Sequence, residues 1–289
     1  MKPMAQVQAI PRELRDTLGE GPIWSPSKNA VLWVDIFGQE VHELALDKGS
    51  ITSWSVPERI GWIVEREGRE DFVAGLKTGF VHLQLHPFCI RRIGNPEPDR
   101  PQNRMNDAKT DAAGRIWAGS KDDSDQIASG ALYRLDPDFT WSRQDDGYLV
   151  ANGPAFSPDG KTMYHADSGR RTVFAFDIDE RSELSRKRVF VTFEEEWGYP
   201  DGMATDAEGG IWIAHWGGGR ISRFLPDGTV DRSVSIPATN ITSVVFAGPR
   251  LDRMFVTSAA LGCESEPLAG ALFEVEARVS GHPVRPFAG

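Results

Sequence analysis

Four polar side chains stand at the start of short apolar runs in this sequence, and each can offer an oxygen atom to a ligand. They are Glu20, Asn106, Asn152 and Asp201. Carboxylate and amide oxygens together form a donor set that suits a hard divalent cation such as Ca²⁺, Mg²⁺ or Mn²⁺. Because buried polar groups need a partner, these residues form a candidate metal site if the fold brings them together.

The alternative is that such residues only form turns, because Asp and Asn before Gly are common turn formers. Asp159 and Asp227 lie in Pro-Asp-Gly triplets between apolar runs, and we interpret them as plain turns. Asp201 instead opens an apolar run in the same phase of the pattern as Asn152. From position alone, a metal site and a structural role are equally open for Glu20, Asn152 and Asp201.

The elements that must position these residues are short runs rich in Val, Ile, Trp, Phe and Tyr, bounded by Gly and Pro, which is a composition typical of β-strands. A polar or small residue begins a first strand, and a second strand ends 14 or 15 residues later. Six such starts occur, at Glu20, Gly61, Asn106, Asn152, Asp201 and Ser243, separated by 41, 45, 46, 49 and 42 residues.

Six units of about 45 residues, each with about four strands, predict an all-β chain that forms a six-bladed β-propeller with four-stranded antiparallel blades. The first strand of each blade lines the central channel, so the six starts should converge on one mouth. We assign residues 1–289 to a single propeller domain and expect at most one helical turn, near Arg12 to Leu18. A large sandwich or barrel is the alternative, but it does not explain a spacing that repeats six times.

Composition excludes several classes of protein. The 289 residues include 32 basic and 42 acidic side chains, and the net charge of −10 argues against nucleic acid as a partner. Two cysteines, Cys89 and Cys263, are too few for a disulfide framework or a structural zinc site. We expect no signal peptide, because residues 1–16 lack an apolar segment, and no apolar run reaches about 18 residues. We therefore expect a cytoplasmic protein without a membrane partner, as a monomer or weak homo-oligomer.

Several motifs occur together in register. They are Glu20-Gly-Pro, Asn103-Arg-Met-Asn-Asp107, Asn152-Gly-Pro and Pro200-Asp-Gly202. In order and spacing they resemble the senescence marker protein/regucalcin/gluconolactonase family, over nearly the whole chain from about Leu18 to Phe273. The resemblance implies a six-bladed propeller with one divalent cation in the channel, and the hydrolysis of sugar lactones.

Carried over by position, the resemblance makes Glu20, Asn152 and Asp201 the metal ligands. Ca²⁺ is the favoured cation, with Zn²⁺, Mn²⁺, Mg²⁺ and Fe²⁺ as alternatives. In the predicted mechanism the cation polarises the lactone carbonyl, and either Asp201 or a hydroxide on the cation activates the attacking water.

The resemblance also makes Arg104 and Asn106 substrate-positioning residues. A further acidic contact to the substrate is implied in the loop 122–125, which departs from the family pattern, and Asp123 is our choice. Trp197 and Trp216 are candidates to cover the sugar ring.

The predicted function is thus the metal-dependent hydrolysis of an aldono-1,4- or 1,5-lactone, such as glucono-, xylono- or arabinonolactone, to the aldonic acid. One alternative is a calcium-binding regulatory propeller without lactonase activity. The other is a related propeller esterase or organophosphatase. The absence of a Gly-x-Ser-x-Gly elbow argues against a serine-nucleophile hydrolase.

Overall fold

The computed structural model describes residues 6–289, which form six four-stranded antiparallel sheets. Each sheet is one blade, and the first strands of neighbouring blades contact one another around a ring. The strands are given from the channel outwards. Blade 1 contains β2 (Gly19–Ser25), β3 (Ala30–Asp35), β4 (Glu40–Ala45) and β5 (Ile51–Ser55), and blade 2 contains β6 (Ile60–Glu65), β7 (Phe72–Leu76), β8 (Gly79–Leu85) and β9 (Phe88–Gly94). Blade 3 contains β10 (Asn103–Thr110), β11 (Ile116–Asp122), β12 (Gly130–Leu135) and β13 (Trp141–Tyr148).

Blades 4 and 5 have the same order, and blade 6 takes its outermost strand from the other end of the chain. Blade 4 contains β14 (Ala151–Phe156), β15 (Thr162–Asp167), β16 (Thr172–Ile178) and β17 (Leu184–Thr192). Blade 5 contains β18 (Tyr199–Thr205), β19 (Ile211–Trp216), β20 (Arg220–Phe224) and β21 (Val230–Ser235). Blade 6 contains β22 (Asn240–Ala247), β23 (Arg253–Ala259), β24 (Phe273–Val275) and β1 (Val7–Ala9). The predicted all-β class and six-bladed propeller are confirmed.

The ring is closed by β1, which pairs antiparallel with β24 so that Val7 lies opposite Val275 and Ala9 opposite Phe273. Blade 6 is therefore built from segments that lie far apart in the sequence. Closure removes one open sheet edge, which would otherwise present unpaired backbone groups.

The same buried Trp–Asp hydrogen bond occurs within blade 3 and within blade 5. The indole Nε1 of Trp117 donates to Asp111 Oδ2 at 3.0 Å, and that of Trp212 donates to Asp206 Oδ2 at 2.9 Å. Each Asp also accepts two backbone N–H groups of its own turn. The aspartate side chains thus fix the turn between the first and second strands and provide a hydrogen-bond acceptor for a fully buried indole. Their role is therefore structural.

The prediction of a helical turn near Arg12 to Leu18 is wrong, because this segment forms bends and no helix. The backbone N–H of Asp16 donates to the carbonyl of Gly270 at 2.9 Å, and its side chain accepts the indole N–H of Trp33. Contacts with blades 1 and 6 therefore take the place of helical hydrogen bonds. Two short 3-10 turns occur elsewhere, at Ser168–Arg170 and Glu195–Trp197.

The last residues of the chain cross the mouth of the channel at which the first strands end. The backbone N–H groups of His282, Phe287 and Ala288 donate to carbonyl oxygens of blades 5, 2 and 3, at 3.0, 2.8 and 2.9 Å. Phe287 is fully buried in this position. Within residues 6–289, no helix has the length and apolar character needed to span a membrane.

Candidate active site

The first strand of every blade has a β-bulge close to its start. The register with the second strand shifts just after Glu20, Ile60, Met105, Asn152, Pro200 and Ile241. A bulge leaves residues unpaired and re-aims the side chains around it. Six bulges at one level of the ring turn the predicted residues towards one end of the channel. We call this end the carboxylate mouth, defined by Glu20, Asp107 and Asp201.

Glu20 and Asp201 lie on the first strands of blades 1 and 5, which border blade 6 on either side, and they are only 5% and 4% exposed. Their carboxyl groups are within hydrogen-bonding reach of each other. Burial, and then the charge of Asp107, raise the pKa of Glu20 to about 8. Burial, followed by repulsion from Glu20 and Asp107, raises the pKa of Asp201 well above its ordinary value. The Oδ1 atom of Asp201 is buried without a hydrogen-bond partner, so this pair needs a proton or a cation to remain together.

Asp107 is a third buried carboxylate in this cluster, and the sequence reasoning assigned it no role. Its Oδ1 accepts the N–H of Ala108 at 2.7 Å, and its Oδ2 accepts the N–H of Gly153 at 3.2 Å. Burial raises the pKa of Asp107, although the charge of Lys109 and these two hydrogen bonds oppose the increase. Through Gly153, Asp107 holds the bulge that follows Asn152.

The amide side chains form a hydrogen-bonded row along one side of the carboxylate mouth. Arg104 Nη1 donates to Asn106 Oδ1 at 2.7 Å, and Asn106 Nδ2 donates to Asn152 Oδ1 at 2.9 Å. Asn152 Nδ2 donates in turn to Ser168 Oγ at 3.0 Å, and this hydroxyl donates to the carbonyl of Pro200 at 2.5 Å. The row links blades 3, 4 and 5 and fixes the direction of each amide oxygen.

Asp123 joins this row at its outer end. It accepts a hydrogen bond from Arg104 Nε at 3.2 Å and one from Lys77 Nζ at 3.0 Å, and it pairs with Arg59. Burial acts to raise the pKa of Asp123, but the hydrogen bond from Lys77 and the charges of Arg104 and Arg59 lower it. Asp123 is therefore a firmly ionised carboxylate. Arg59 and Lys77 were not singled out by the sequence pattern.

The two tryptophans considered as covers of a sugar ring have different positions. Trp197 is half-buried, with its ring centroid 5.5 Å from that of Phe193 and 6.2 Å from that of Phe224. Trp216, the last residue of β19, is also half-buried, against the cluster that includes Ile36 and Ala259. Both side chains remain candidates to cover a sugar ring.

Gly61 is the residue of blade 2 that corresponds to Glu20 and Asp201, and it places no side chain at this level of the ring. A Cβ atom at this position would lie 2.6 Å from the carbonyl oxygen of Met105 and 2.7 Å from that of Asn106. The first strands of blades 2 and 3 therefore approach too closely for any side chain here. Ser243, which opens the sixth blade, places a buried hydroxyl without a partner at the same level of the ring.

A cavity lies at the other end of the channel, here called the C-terminal mouth. It has a volume of about 630 Å³, and its lining is mostly apolar. Lining residues include Trp24, Glu65, Lys109, Phe156, Phe246 and Val284. None of the three cluster carboxylates lines it. The carboxylate mouth is the candidate active site, because chemistry requires converging reactive groups rather than volume.

The donors at the carboxylate mouth suit a cation. Asp201 Oδ1 is an orphaned buried oxygen, Glu20 is its carboxylate neighbour, and Asn152 Oδ1 keeps a lone pair beyond the one used by Asn106. In the part of the chain that the structure describes, no group of three His, Cys, Asp or Glu side chains has a metal-binding arrangement. A site built from these residues therefore depends on the amide oxygen of Asn152.

The fold and this mouth define a class: a six-bladed propeller with a buried carboxylate–amide cluster at one end of its channel. The profile of the family described as SMP-30/Gluconolactonase/LRE-like region matches residues 18–260. The chain belongs to this family, which confirms the resemblance found in the sequence.

Individual relatives match over nearly the full length. L-arabinolactonase of Azospirillum brasilense is 34% identical, with 96% of this chain and 94% of the relative covered. The 6-deoxy-6-sulfogluconolactonase of Pseudomonas putida is 31% identical, with 94% and 95% covered. A solved calcium-binding protein, regucalcin, from Agrobacterium tumefaciens has a TM-score of 0.93 and 26% identity, and covers 99% of this chain and 98% of its own.

Proposed function

We propose that this protein hydrolyses a sugar lactone, of the glucono-, xylono- or arabinonolactone type, to the aldonic acid. The observation that carries the proposal is the buried Glu20–Asp201 pair, with an orphaned oxygen on Asp201, beside the hydrogen-bonded row of amide and guanidinium groups. The named lactonases among the relatives support it.

We assign Glu20, Asn152 and Asp201 as the protein ligands of one divalent cation, with Ca²⁺ favoured because all three donors are hard oxygens. When bound, the cation supplies positive charge that polarises the lactone carbonyl and stabilises the oxyanion. It would also take the place of the proton that Glu20 and Asp201 otherwise share, because a positive charge favours two adjacent ionised carboxylates.

The protein's own groups orient the substrate. Asn106 Oδ1 can accept from a sugar hydroxyl with its remaining lone pair, while both N–H groups of its Nδ2 are already used within the protein. Arg104 can donate to the substrate through Nη2, because its Nε and Nη1 already donate to protein oxygens. Both side chains are already held by the hydrogen bonds of the row, so little conformational freedom is lost when the lactone binds. Asp123 accepts hydrogen bonds from hydroxyls at the outer end.

Asp201 is our candidate for the proton acceptor. Water attacks the carbonyl carbon, its proton passes to the carboxylate of Asp201, and the bond from the carbonyl carbon to the ring oxygen breaks. The ring oxygen takes this proton from Asp201 and becomes a hydroxyl, and the released carboxylic acid loses its own proton to solvent. Burial of Asp201 excludes bulk water that would otherwise compete for this hydrogen bond.

The test is a panel of lactones assayed against a panel of cations, on protein stripped with chelator and then reconstituted. We expect turnover only with an added divalent cation, and only with sugar lactones, while aromatic esters and organophosphates remain unhydrolysed. Efficient turnover of aryl esters in place of lactones would support the esterase alternative. Lactone hydrolysis at an unchanged rate after stripping would contradict the assigned role of the cation.

The similarity to a calcium-binding protein supports a second candidate, a regulatory propeller that binds calcium without turnover. Titration calorimetry on the same stripped protein separates the two. Tight calcium binding together with no hydrolysis of any lactone in the panel would favour the regulatory function.

A further inference from the structure

A dense group of positive charges lies beside the proposed substrate site, at the tops of blades 2 and 3. We call it the cationic rim, and it consists of Arg59, Lys77, Arg104 and Lys121. Two carboxylates lie among these side chains, Asp123 and Asp125. Four positive and two negative charges leave a local net charge of +2.

The two carboxylates of the cationic rim pair with different numbers of positive side chains. Asp123 serves three cations at once, with Lys77 Nζ at 3.0 Å, Arg104 Nε at 3.2 Å and Arg59 also in direct contact. Lys121 pairs with Asp125, which is half exposed. Among the residues that the structure describes, Arg59 and Lys77 form no other ion pair. One carboxylate cannot neutralise three cations, so the rim retains an unused capacity for an anion.

Part of this excess charge is held out of water. The side chains of Arg104 and Lys121 are only 3% and 7% exposed. Burial, and then the nearby charge of Arg104, lower the pKa of Lys121. Arg59 is fixed from below by the ring of Phe37, whose centroid lies 4.3 Å from the guanidinium carbon. Desolvated cations that lack a full complement of anions are costly to the fold, and a ligand anion would relieve that cost.

The rim is continuous with the proposed site. Arg104 belongs to both, because it donates to Asn106 in the hydrogen-bonded row and to Asp123 in the rim. A substrate that places its lactone carbonyl among the buried carboxylates and lies along this row would point its far end at Arg59 and Lys77. These two side chains are 36% and 37% exposed, so they are accessible to a ligand.

We propose that the preferred substrate is a sugar lactone with an anionic substituent, such as a carboxylate, sulfonate or phosphate, at the end remote from the lactone carbonyl. This inference rests on the proposed lactonase function. Arg59 and Lys77 bind the anion, since guanidinium and ammonium groups form strong charge-assisted hydrogen bonds with its oxygens. A neutral sugar leaves the same cations with only Asp123 as a partner.

The experiment compares matched lactones on the metal-reconstituted protein. D-Glucono-1,5-lactone is the neutral member, and its 6-phospho, 6-deoxy-6-sulfo and 6-carboxylate counterparts distinguish the three anions. We expect kcat/KM for at least one anionic lactone to exceed that of the neutral one by roughly tenfold or more, equivalent to about 1.4 kcal/mol. The ratio should fall as NaCl increases, because salt screens exposed charges.

The variants R59Q and K77Q test the residues. Each should lower the ratio of anionic to neutral kcat/KM by about fivefold, mainly through KM for the anionic lactone. The matched control is R250Q, an arginine that is 85% exposed and paired only within its own turn, with Asp252. This control should keep the wild-type ratio. Thermal unfolding of all three variants verifies that they are folded.

The outcomes separate this inference from the function on which it rests. If the neutral lactone is hydrolysed as well as every anionic one, the protein is a lactonase and the rim has no role in substrate choice. If R59Q and K77Q lower both rates by the same factor, the rim only joins blades 2 and 3. If no lactone of the panel is hydrolysed, the proposed function itself fails.

Discussion

The two mouths of the channel are built from the same six strands but in opposite ways. At the carboxylate mouth, bulges direct polar side chains inwards, and one buried oxygen of Asp201 has no partner. At the C-terminal mouth, a cavity of about 630 Å³ is mostly apolar, and the last residues are hydrogen-bonded to three blades. The carboxylate mouth holds groups that need a ligand, whereas the C-terminal mouth is largely satisfied by the chain itself.

This difference shows how to locate function in a propeller. The apolar cavity would point to the C-terminal mouth, but the unsatisfied buried polar groups point to the carboxylate mouth. Natural folds satisfy nearly all of their buried polar groups, so the exceptions identify where a ligand is required. We therefore expect variants at the carboxylate mouth to change activity, and variants at the C-terminal mouth to change stability.

The largest effect is expected for Asp201→Asn. Removal of the proton acceptor and of one ligand charge should lower kcat/KM for the lactone by about 10²- to 10⁴-fold. Stability without metal should be unchanged or higher, because the repulsion from Glu20 and Asp107 is removed. Steady-state kinetics and urea unfolding measure the two properties. Wild-type activity in this variant would contradict the assignment, and V284S at the C-terminal mouth is the control that should retain full activity.

The opposite pattern is expected for Phe287→Ala. This side chain is fully buried beneath the C-terminal mouth, with its ring centroid 5.4 Å from that of Phe139. Its loss should lower the free energy of unfolding by about 3–5 kcal/mol, while kcat of the folded fraction stays at the wild-type value. A comparable loss of kcat at temperatures where the variant is fully folded would show that the two mouths are coupled.

The metal-free protein should respond to pH through the carboxylate mouth. The folded-state pKa of Glu20 is raised from 4.5 to about 8, so the unfolded chain releases this proton first. The corresponding stability is present below about pH 4.5 and is lost as pH rises towards 8. Urea unfolding with chelator present should show this decline, and Ca²⁺ should remove it. An identical decline in Glu20→Gln would assign it to other groups.

A smaller effect of opposite sign is expected from His165, which lies in β15 away from either mouth. Burial lowers its pKa from 6.5 to about 3, and neither ring nitrogen has a hydrogen-bond partner. The unfolded chain takes up the proton first as pH falls, so stability is lost below about pH 6.5, by about 2 kcal/mol at pH 5. His165→Leu should lack this acid-dependent loss in urea unfolding, and an unchanged slope would contradict it.

Much of the fold was predictable because the sequence repeats both within each hairpin and from one blade to the next. Strand composition gave the hairpins, and the spacing of the six starts gave the ring and brought Glu20, Asn106, Asn152 and Asp201 to one level. The match of the family profile over residues 18–260 agrees with this. The expected helical turn near Arg12 was wrong because contacts with distant blades control that segment.

Other parts of the site were not predictable from the pattern. Asp107 directly follows Asn106, and consecutive strand residues normally face opposite sides; only the bulge after Met105 lets both face the channel. Arg59 and Lys77 lie just outside strands, at no special phase of the repeat. Their meeting with Asp123 depends on how blades 2 and 3 pack, which spacing along the chain does not encode.

The pairing of β1 with β24 has a consequence for how the protein is made. The first of these strands leaves the ribosome early, but its partner is synthesised more than 260 residues later. Until then, the growing chain carries a lone strand and, at the end, a three-stranded blade with an open edge. Such an edge can pair with β1 of a second molecule as readily as with its own. Correct folding therefore requires β24 to pair with β1 of the same chain rather than with β1 of a second chain.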